Sequence, residues 1–202
     1  MDKTKEYYNA KAKKYEDTTK DYIRKYIQKE VELFLSLLPG KKILDLGCGP
    51  GRDSLYFKAR GFNPMGVDFS PEMIKLCKQK NLEAYEMDIR KLNFPLESFD
   101  GIWAYTLLLH LKKEELPKTL INLEKILRQK GAIFIAMKEG NFEEYQEGGR
   151  FVSLYTDAEL RDTLSQRFKI HSFSKISLKN RIHKKEEATY LHYLCTLKTT
   201  NL

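Results

Sequence analysis

Apolar side chains recur along this chain in two periods, and the alternation between them predicts its elements. Over residues 18–38, Ile23, Ile27, Val31, Phe34 and Leu38 fall at steps of four, four, three and four, which predicts one long helix with a single apolar face, ended by Pro39-Gly40. Lys41 to Leu46 then reads as a short buried strand that runs into a glycine cluster, and residues 51–60 read as a helix closed by Gly61. The scheme repeats at once. Pro64 to Asp68 is strand-like, Ser70 is a good helix N-cap, Pro71 suits the first helical position, and Met73, Ile74 and Cys77 supply an apolar face.

Third and fourth strands are predicted at Glu83 to Met87 and Phe99 to Ala104, separated by the polar loop 88–98. Leu116, Leu120, Leu123 and Leu127 make residues 113–129 a helix closed by Gly131, and Ala132 to Met137 form a fifth strand. Residues 139–155 read as the longest irregular segment, a length that points to function. Thr156 to Glu159 form a capping box that opens a helix through Leu160 and Leu164, and 168–178 with 189–198 read as a final strand pair. Strands alternating with helices imply an α/β, doubly wound, mainly parallel sheet with helices on both faces, because crossovers are right-handed. Ligands of such sheets bind beyond the carboxyl ends of the strands. The acidic and glycine-rich turns of this chain lie there.

Composition narrows the class. The chain has 202 residues, 42% of them hydrophobic and 32% charged, with six prolines, which describes one globular domain and excludes disordered or collagenous chains. No apolar run approaches the roughly 18 to 20 residues that a membrane span needs, so no membrane partner is expected. The amino-terminal segment is charged where a secretory signal would be apolar, which makes the cytoplasm the expected location. Cys48, Cys77 and Cys195 are widely spaced and unaccompanied by close Cys/His partners, so they read as free thiols, with no metal site expected. The net charge of +8 is carried by the ends, +4 over residues 1–42 and +6 over 161–202, against −2 between them. Solvated lysine-rich helix faces explain such a distribution, and a polyanionic or acidic partner is the competing reading.

After the first strand comes Leu44-Asp45-Leu46-Gly47-Cys48-Gly49-Pro50-Gly51. Its backbone N–H groups converge at a helix start, where an anionic group can bind. The dinucleotide fingerprint would place glycine three residues after Gly49, where this chain has Arg52, and no Gly-Lys-Ser/Thr follows, so nicotinamide and nucleotide triphosphate chemistry are disfavoured.

The chain resembles the class I S-adenosylmethionine-dependent methyltransferases. The resemblance rests on that glycine turn, on Val67-Asp68-Phe69-Ser70, on Met87-Asp88-Ile89-Arg90 and on Phe99-Asp100-Gly101-Ile102-Trp103-Ala104, in order and at matching intervals. Leu108-Leu109-His110 and Arg150-Phe151-Val152-Ser153-Leu154-Tyr155-Thr156 are similar to elements of the small stand-alone bacterial members. The resemblance implies a Rossmann-like, seven-stranded sheet with an antiparallel last strand over the whole of 1–202. Residues 1–38 would form a helical lid, with 139–155 as a substrate-side loop. It also implies S-adenosylmethionine as cofactor, S-adenosylhomocysteine as product, and methyl transfer to a small-molecule acceptor by in-line displacement.

The cofactor's chemistry assigns roles. Gly47 and Gly49, with Cys48 between them, let the backbone approach the ligand, Asp45 is expected to hold its amino group directly or through water, and Asp68 to accept both ribose hydroxyls. Phe69, Met73, Met87 and Ile89 are expected to pack the adenine, Asp88 to accept its amine, and Ala104 to lie against the cofactor at the end of the fourth strand. Met73 and Ile89 have a competing reading as plain core, and Asp88 as a loop cap. Of Tyr7, Tyr8 and Tyr15, Tyr15 is the tyrosine expected to close over the methionine part, against a surface tyrosine on a basic helix. On the acceptor side His110 is the candidate base, with a helix-capping or core histidine as the alternative. Tyr105, Arg150 and Tyr155 are candidate acceptor contacts, although Glu147 is an alternative partner for Arg150; His171, His183 and His192 read as structural. Trp103-Ala104-Tyr105-Thr106 stands where base-amino methyltransferases carry Asn/Asp-Pro-Pro-aromatic, and no cysteine sits in a suitable loop for carbon-5 pyrimidine chemistry. An RNA (tRNA or rRNA) methyltransferase using the basic ends, and a non-catalytic cofactor-binding protein, are the alternatives. Monomer and homodimer both remain open.

Overall fold

The computed structural model describes residues 3–179 and 187–198; His183 lies outside them. Seven strands form one sheet in the order β3-β2-β1-β4-β5-β9-β8. They are β1 (Lys42–Leu46), β2 (Asn63–Asp68), β3 (Ala84–Glu86), β4 (Phe99–Tyr105), β5 (Leu127–Lys138), β8 (Phe168–Lys179) and β9 (Glu187–Leu197). The pairs β1–β2, β1–β4, β2–β3 and β4–β5 are parallel, whereas β9 runs antiparallel to both of its neighbours, β5 and β8. The strand order reverses between β1 and β4, where a ligand crevice opens in such sheets.

The helices are α1 (Lys3–Thr19), α2 (Gln28–Ser36), α3 (Arg52–Lys58), α4 (Pro71–Gln79), α5 (Leu116–Ile126) and α6 (Asp157–Ser165). The caps follow the sequence. Ser70 Oγ accepts from Met73 N–H at 3.2 Å at the start of α4, and Thr156 with Glu159 closes both halves of a capping box on α6.

One sheet face packs on a cluster that includes Leu44, Leu46, Ile102, Ile133 and Ile135 with α5 and α6. The other packs Ile43, Trp103, Phe134 and Leu194 on Ile23, Ile27, Val31, Phe34 and Phe57. Strand residues therefore alternate between the two clusters, as the pleat requires. At the centre of the second cluster Trp103 lies stacked on Phe134 at 4.2 Å between ring centroids, with Phe34 tilted against it at 5.2 Å.

Three local expectations are corrected. The apolar stripe of 18–38 is not one helix: α1 ends at Thr19, a turn at residues 20–21 follows, and a π-helical segment (Ile23–Ile27) leads into α2. The stripe still faces inward because the wider turn keeps Ile23 and Ile27 on the buried side. Gly131 does not close α5, which stops at Ile126; Leu127 already pairs with Phe99, and Lys130 at a φ of 65° carries the strand across a register shift. Residues 139–155 contain a hairpin, β6 (Glu143–Tyr145) paired antiparallel with β7 (Phe151–Ser153), turned by Gly148 and Gly149, both at a φ of 85°. No helix among the described residues is long and apolar enough to cross a membrane.

Phe34→Ala is expected to cost about 3–5 kcal/mol, because Trp103 and Phe57 cannot both collapse into the void. Urea unfolding of the two proteins measures the difference.

Candidate active site

The cavity opens where β1, β2 and β4 end. After β1 the chain passes through Gly47, Gly49 and Gly51 with φ of 72°, 53° and 85°, a left-handed run that side chains resist. A Cβ at Gly47 would lie 2.7 Å from Leu107, whereas at Gly49 it would meet nothing within 4 Å. The turn thus presents bare backbone to open space. Asp68, at the end of β2, reaches across to it: one carboxylate oxygen accepts Gly49 N–H at 3.0 Å and the other accepts Ser70 N–H at 2.9 Å. Burial pushes the Asp68 carboxyl up to about 6, opposed by those backbone donors.

Two connected spaces share this floor. A cavity of about 200 Å³ brings together the expected Tyr15, Gly47, Cys48, Gly49, Asp68 and Phe69. The expected Met73, Tyr105, His110 and Arg150 line it too. A narrower slot of about 40 Å³ places Met87, Asp88 and Ile89 beside Gly47, Asp68 and Phe69, with His110 on both walls. Asp88 also caps the short turn Ile89–Lys91, and its two oxygens accept the backbone and guanidinium of Arg90, so the capping alternative holds alongside its place on the wall. Burial opposes ionisation of Asp88, but Arg90 prevails and holds its carboxyl below the usual range.

Three expected residues lie off these walls, and strand parity explains two of them. Asp45 alternates with Leu44 and Leu46, so it points to the Trp103 side and receives Ser54 O–H at 2.6 Å beneath the turn. Ala104 alternates with Trp103 and Tyr105 and is fully buried in the opposite cluster. Tyr155 is 4% exposed within that same cluster, with Lys113 Nζ 4.9 Å from its ring centroid. Of the histidines read as structural, His192 is buried against Phe134 and Tyr105, while His171 is exposed on β8.

Arg52 and Asp53, to which the sequence reading gave no role in the site, prove central. Arg52 donates to Asp53 through Nε and Nη2 at 2.5 and 2.8 Å, and Asp53 also accepts Trp103 Nε1–H at 2.9 Å. The guanidinium lies 4.8 Å from the Tyr22 ring and 5.6 Å from that of Tyr105, whose hydroxyls share a hydrogen bond of 2.8 Å. Beneath them, burial and then the neighbouring Asp53 charge push Asp45 up to about 7. An Arg-Asp pair directly after the glycine turn was the available signal; its tie to Trp103, 50 residues on, was not.

α1 covers the cavity and is held by polar contacts. Thr4 Oγ1 accepts Phe151 N–H at 2.9 Å, Ser70 O–H donates to Asn9 at 2.6 Å, and Lys5 and Lys80 pair with Glu86 and Glu16, each at 2.6 Å. His110 joins the same fastening. The Phe151 carbonyl, 2.6 Å from Nδ1, can only accept, which fixes the ring proton there and leaves Nε2 to accept Tyr8 O–H at 2.7 Å. Both ring nitrogens are engaged, so His110, the candidate base or structural histidine of the sequence reading, ties α1 to β7 in this arrangement.

Residues 43–131 match the family described as Methyltransferase domain. Among relatives, the chain is 28% identical to phosphoethanolamine N-methyltransferase 1 of Zea mays over 127 residues, covering 59% of this chain and 23% of the relative. It is 27% identical to malonyl-[acyl-carrier protein] O-methyltransferase of Salmonella typhimurium over 131 residues, covering 62% and 51%. The chain spans from about a quarter to about half the length of the curated relatives it matches. Two crystal structures share the fold. One is a SAM-dependent methyltransferase of Methanosarcina mazei, with TM-score 0.72, 18% identity and coverage of 84% of this chain and 98% of that one. The other is 1,6-didemethyltoxoflavin-N1-methyltransferase of Burkholderia thailandensis with bound 1,6-didemethyltoxoflavin and S-adenosylhomocysteine, with TM-score 0.66, 19% identity and coverage of 91% and 90%.

Two outcomes follow from the geometry. Because the folded pKa of Asp45 lies above its unfolded one, the native state holds the extra proton, and stability falls as pH rises from about 4 through about 7. Asp45→Asn removes that loss, so its stability advantage over the parent is expected to grow between pH 5 and pH 8 in denaturant titrations. Tyr8→Phe deletes one fastening of α1 and is expected to speed amide exchange over residues 3–19 by roughly five- to tenfold, with exchange in β4 and β5 unchanged.

Proposed function

We propose that this member of the class I S-adenosylmethionine-dependent methyltransferases binds S-adenosylmethionine over its glycine turn and transfers the methyl group to a small-molecule acceptor held in the same cavity. The observation that carries the reading is the pairing of Gly49, whose backbone faces open space, with the half-buried Asp68 carboxylate bonded to its N–H.

The residues present fit that cofactor. Each Asp68 oxygen already accepts one backbone donor and keeps capacity for one ribose hydroxyl. The slot bounded by Val67, Met87, Ile89 and Leu111 is apolar and narrow, as a flat base requires. Gly47 and Gly49 receive the amino acid end on bare backbone, Gly49 facing open space. Asp45, bonded to Ser54 below the turn, positions that turn from underneath.

When bound, S-adenosylmethionine supplies a methyl group on a positively charged sulfur, the electrophile of an in-line displacement. The protein's part is alignment and the exclusion of water, which account for much of the acceleration such a reaction needs. α1 serves as the lid, with Tyr8 and Tyr15 facing the cavity, and the β6–β7 hairpin closes the acceptor side through Arg150 and Val152. Tyr22 and Tyr105, held rigid by Arg52 and the Trp103 stack, form the far wall. His110 is a positioning residue that latches the lid to the hairpin. An enclosure roofed by α1 suits a small acceptor better than a nucleotide within folded RNA, and the curated relatives named above carry the names of small-molecule and acyl-carrier methyltransferases.

Asp68→Ala is expected to weaken S-adenosylhomocysteine binding by about 10- to 100-fold in calorimetry while leaving the melting transition cooperative. In the parent protein, affinity is expected to rise as pH increases through about 6, where Asp68 ionises, and to level off above it. Asp68→Asn is expected to abolish that step. Unchanged affinity in Asp68→Ala refutes the ribose assignment.

A further inference from the structure

The charges on the cavity wall do not cancel. Arg52 is neutralised by the two-point pair with Asp53. Asp68 stands at the glycine turn among backbone donors. Two cations remain, Lys138 at the end of β5 and Arg150 at the base of the hairpin, and among the described residues no carboxylate forms an ion pair with either. The half-buried Arg150 guanidinium is met by neutral groups: it donates to the Gln146 side-chain carbonyl and lies 5.5 Å from the Tyr7 ring centroid. Lys138 sits opposite Tyr190 in the β5–β9 register.

The surrounding phenols do not supply the missing negative charge. Burial raises the pKa of Tyr8, Tyr15, Tyr22, Tyr105 and Tyr190 above the usual phenol value, so they stay neutral and act as O–H donors. A partly desolvated pair of cations beside a cationic sulfonium is electrostatically incomplete until an anion enters. Guanidinium forks and lysine point charges are the groups that recognise carboxylate and phosphate.

We propose that the methyl acceptor is a small molecule bearing a carboxylate or phosphate group, gripped by Arg150 and Lys138 at the hairpin end of the cavity while its body lies against Tyr105 and Tyr22. This rests on the methyltransferase reading above and names the substrate class of the same site. The anion is the acceptor's anchor, and the atom that takes the methyl lies between that anchor and the glycine turn.

The test is calorimetric titration of the full chain, saturated with S-adenosylhomocysteine, with benzoate, phenyl phosphate, benzamide and benzyl alcohol. At least one anion is expected to bind about tenfold or more tightly than both neutral probes, and the tighter anion distinguishes carboxylate from phosphate. Arg150→Gln and Lys138→Gln are each expected to lower that anion's affinity by about tenfold, whereas Arg150→Lys retains part of it. S-adenosylhomocysteine affinity is expected to stay within about twofold in all three variants. Equal binding of anionic and neutral probes, or no binding of any probe up to about 20 mM, overturns the proposal. So does an anion preference that survives both Gln substitutions. Loss of S-adenosylhomocysteine affinity in Arg150→Gln also overturns it, because the guanidinium then serves the cofactor's own carboxylate. Failure of the parent protein to bind S-adenosylhomocysteine at all strikes the methyltransferase reading instead. The same four titrations without it still decide the anion question.

Discussion

A single carboxylate, Asp53, connects the sheet to the cavity. It accepts from Trp103 in the middle of β4 and from Arg52 at the start of α3, and it is 5% exposed. Three elements are thereby fixed at once: the helix that follows the glycine turn, the central strand beside it, and the aromatic wall that rests on the guanidinium. A buried charge pair contributes little net stability, since desolvation cancels most of the attraction, but removing one partner strands the other. Its value here is geometric. With Arg52 aimed at Tyr22 and Tyr105, the wall opposite the turn has one arrangement.

The second constraint is conformational. Gly47, Gly49 and Gly51 all occupy left-handed backbone, and the Asp68 carboxylate is hydrogen-bonded to the N–H of the middle one. Turn and carboxylate come from adjacent parallel strands whose register, Leu46 opposite Val67, sets their spacing. The site is therefore a product of strand pairing: two loop residues meet because the strands beneath them are in step.

Much of this was legible from periodicity and capping. The order of strands and helices, the caps at Ser70 and Thr156, and the convergence of the glycine turn with Asp68 follow from local rules that tertiary contacts reinforce. The residues that escaped did so for definite reasons. Asp45 and Ala104 do not line the cavity, because the period of two in a strand puts them on the faces where they lie. The hairpin at 143–153 has strands of three residues each, and the first is exposed throughout, so no alternation marks it. The break at residues 20–21 falls on polar residues between two stretches of compatible apolar spacing. The Asp53–Trp103 contact and the Tyr8–His110–Phe151 chain join residues 41 to 102 positions apart, and pairings of that kind leave no trace in spacing.

The fastening of α1 has a physiological corollary. Its cover is secured by hydroxyls, an amide, an imidazole and two partly exposed ion pairs, whereas the sheet beneath is secured by buried hydrocarbon. Dissolved ions screen the two ion pairs and leave the hydrocarbon nearly untouched. Ionic strength is accordingly a control on how often molecules enter and leave, with little bearing on whether the polypeptide remains folded.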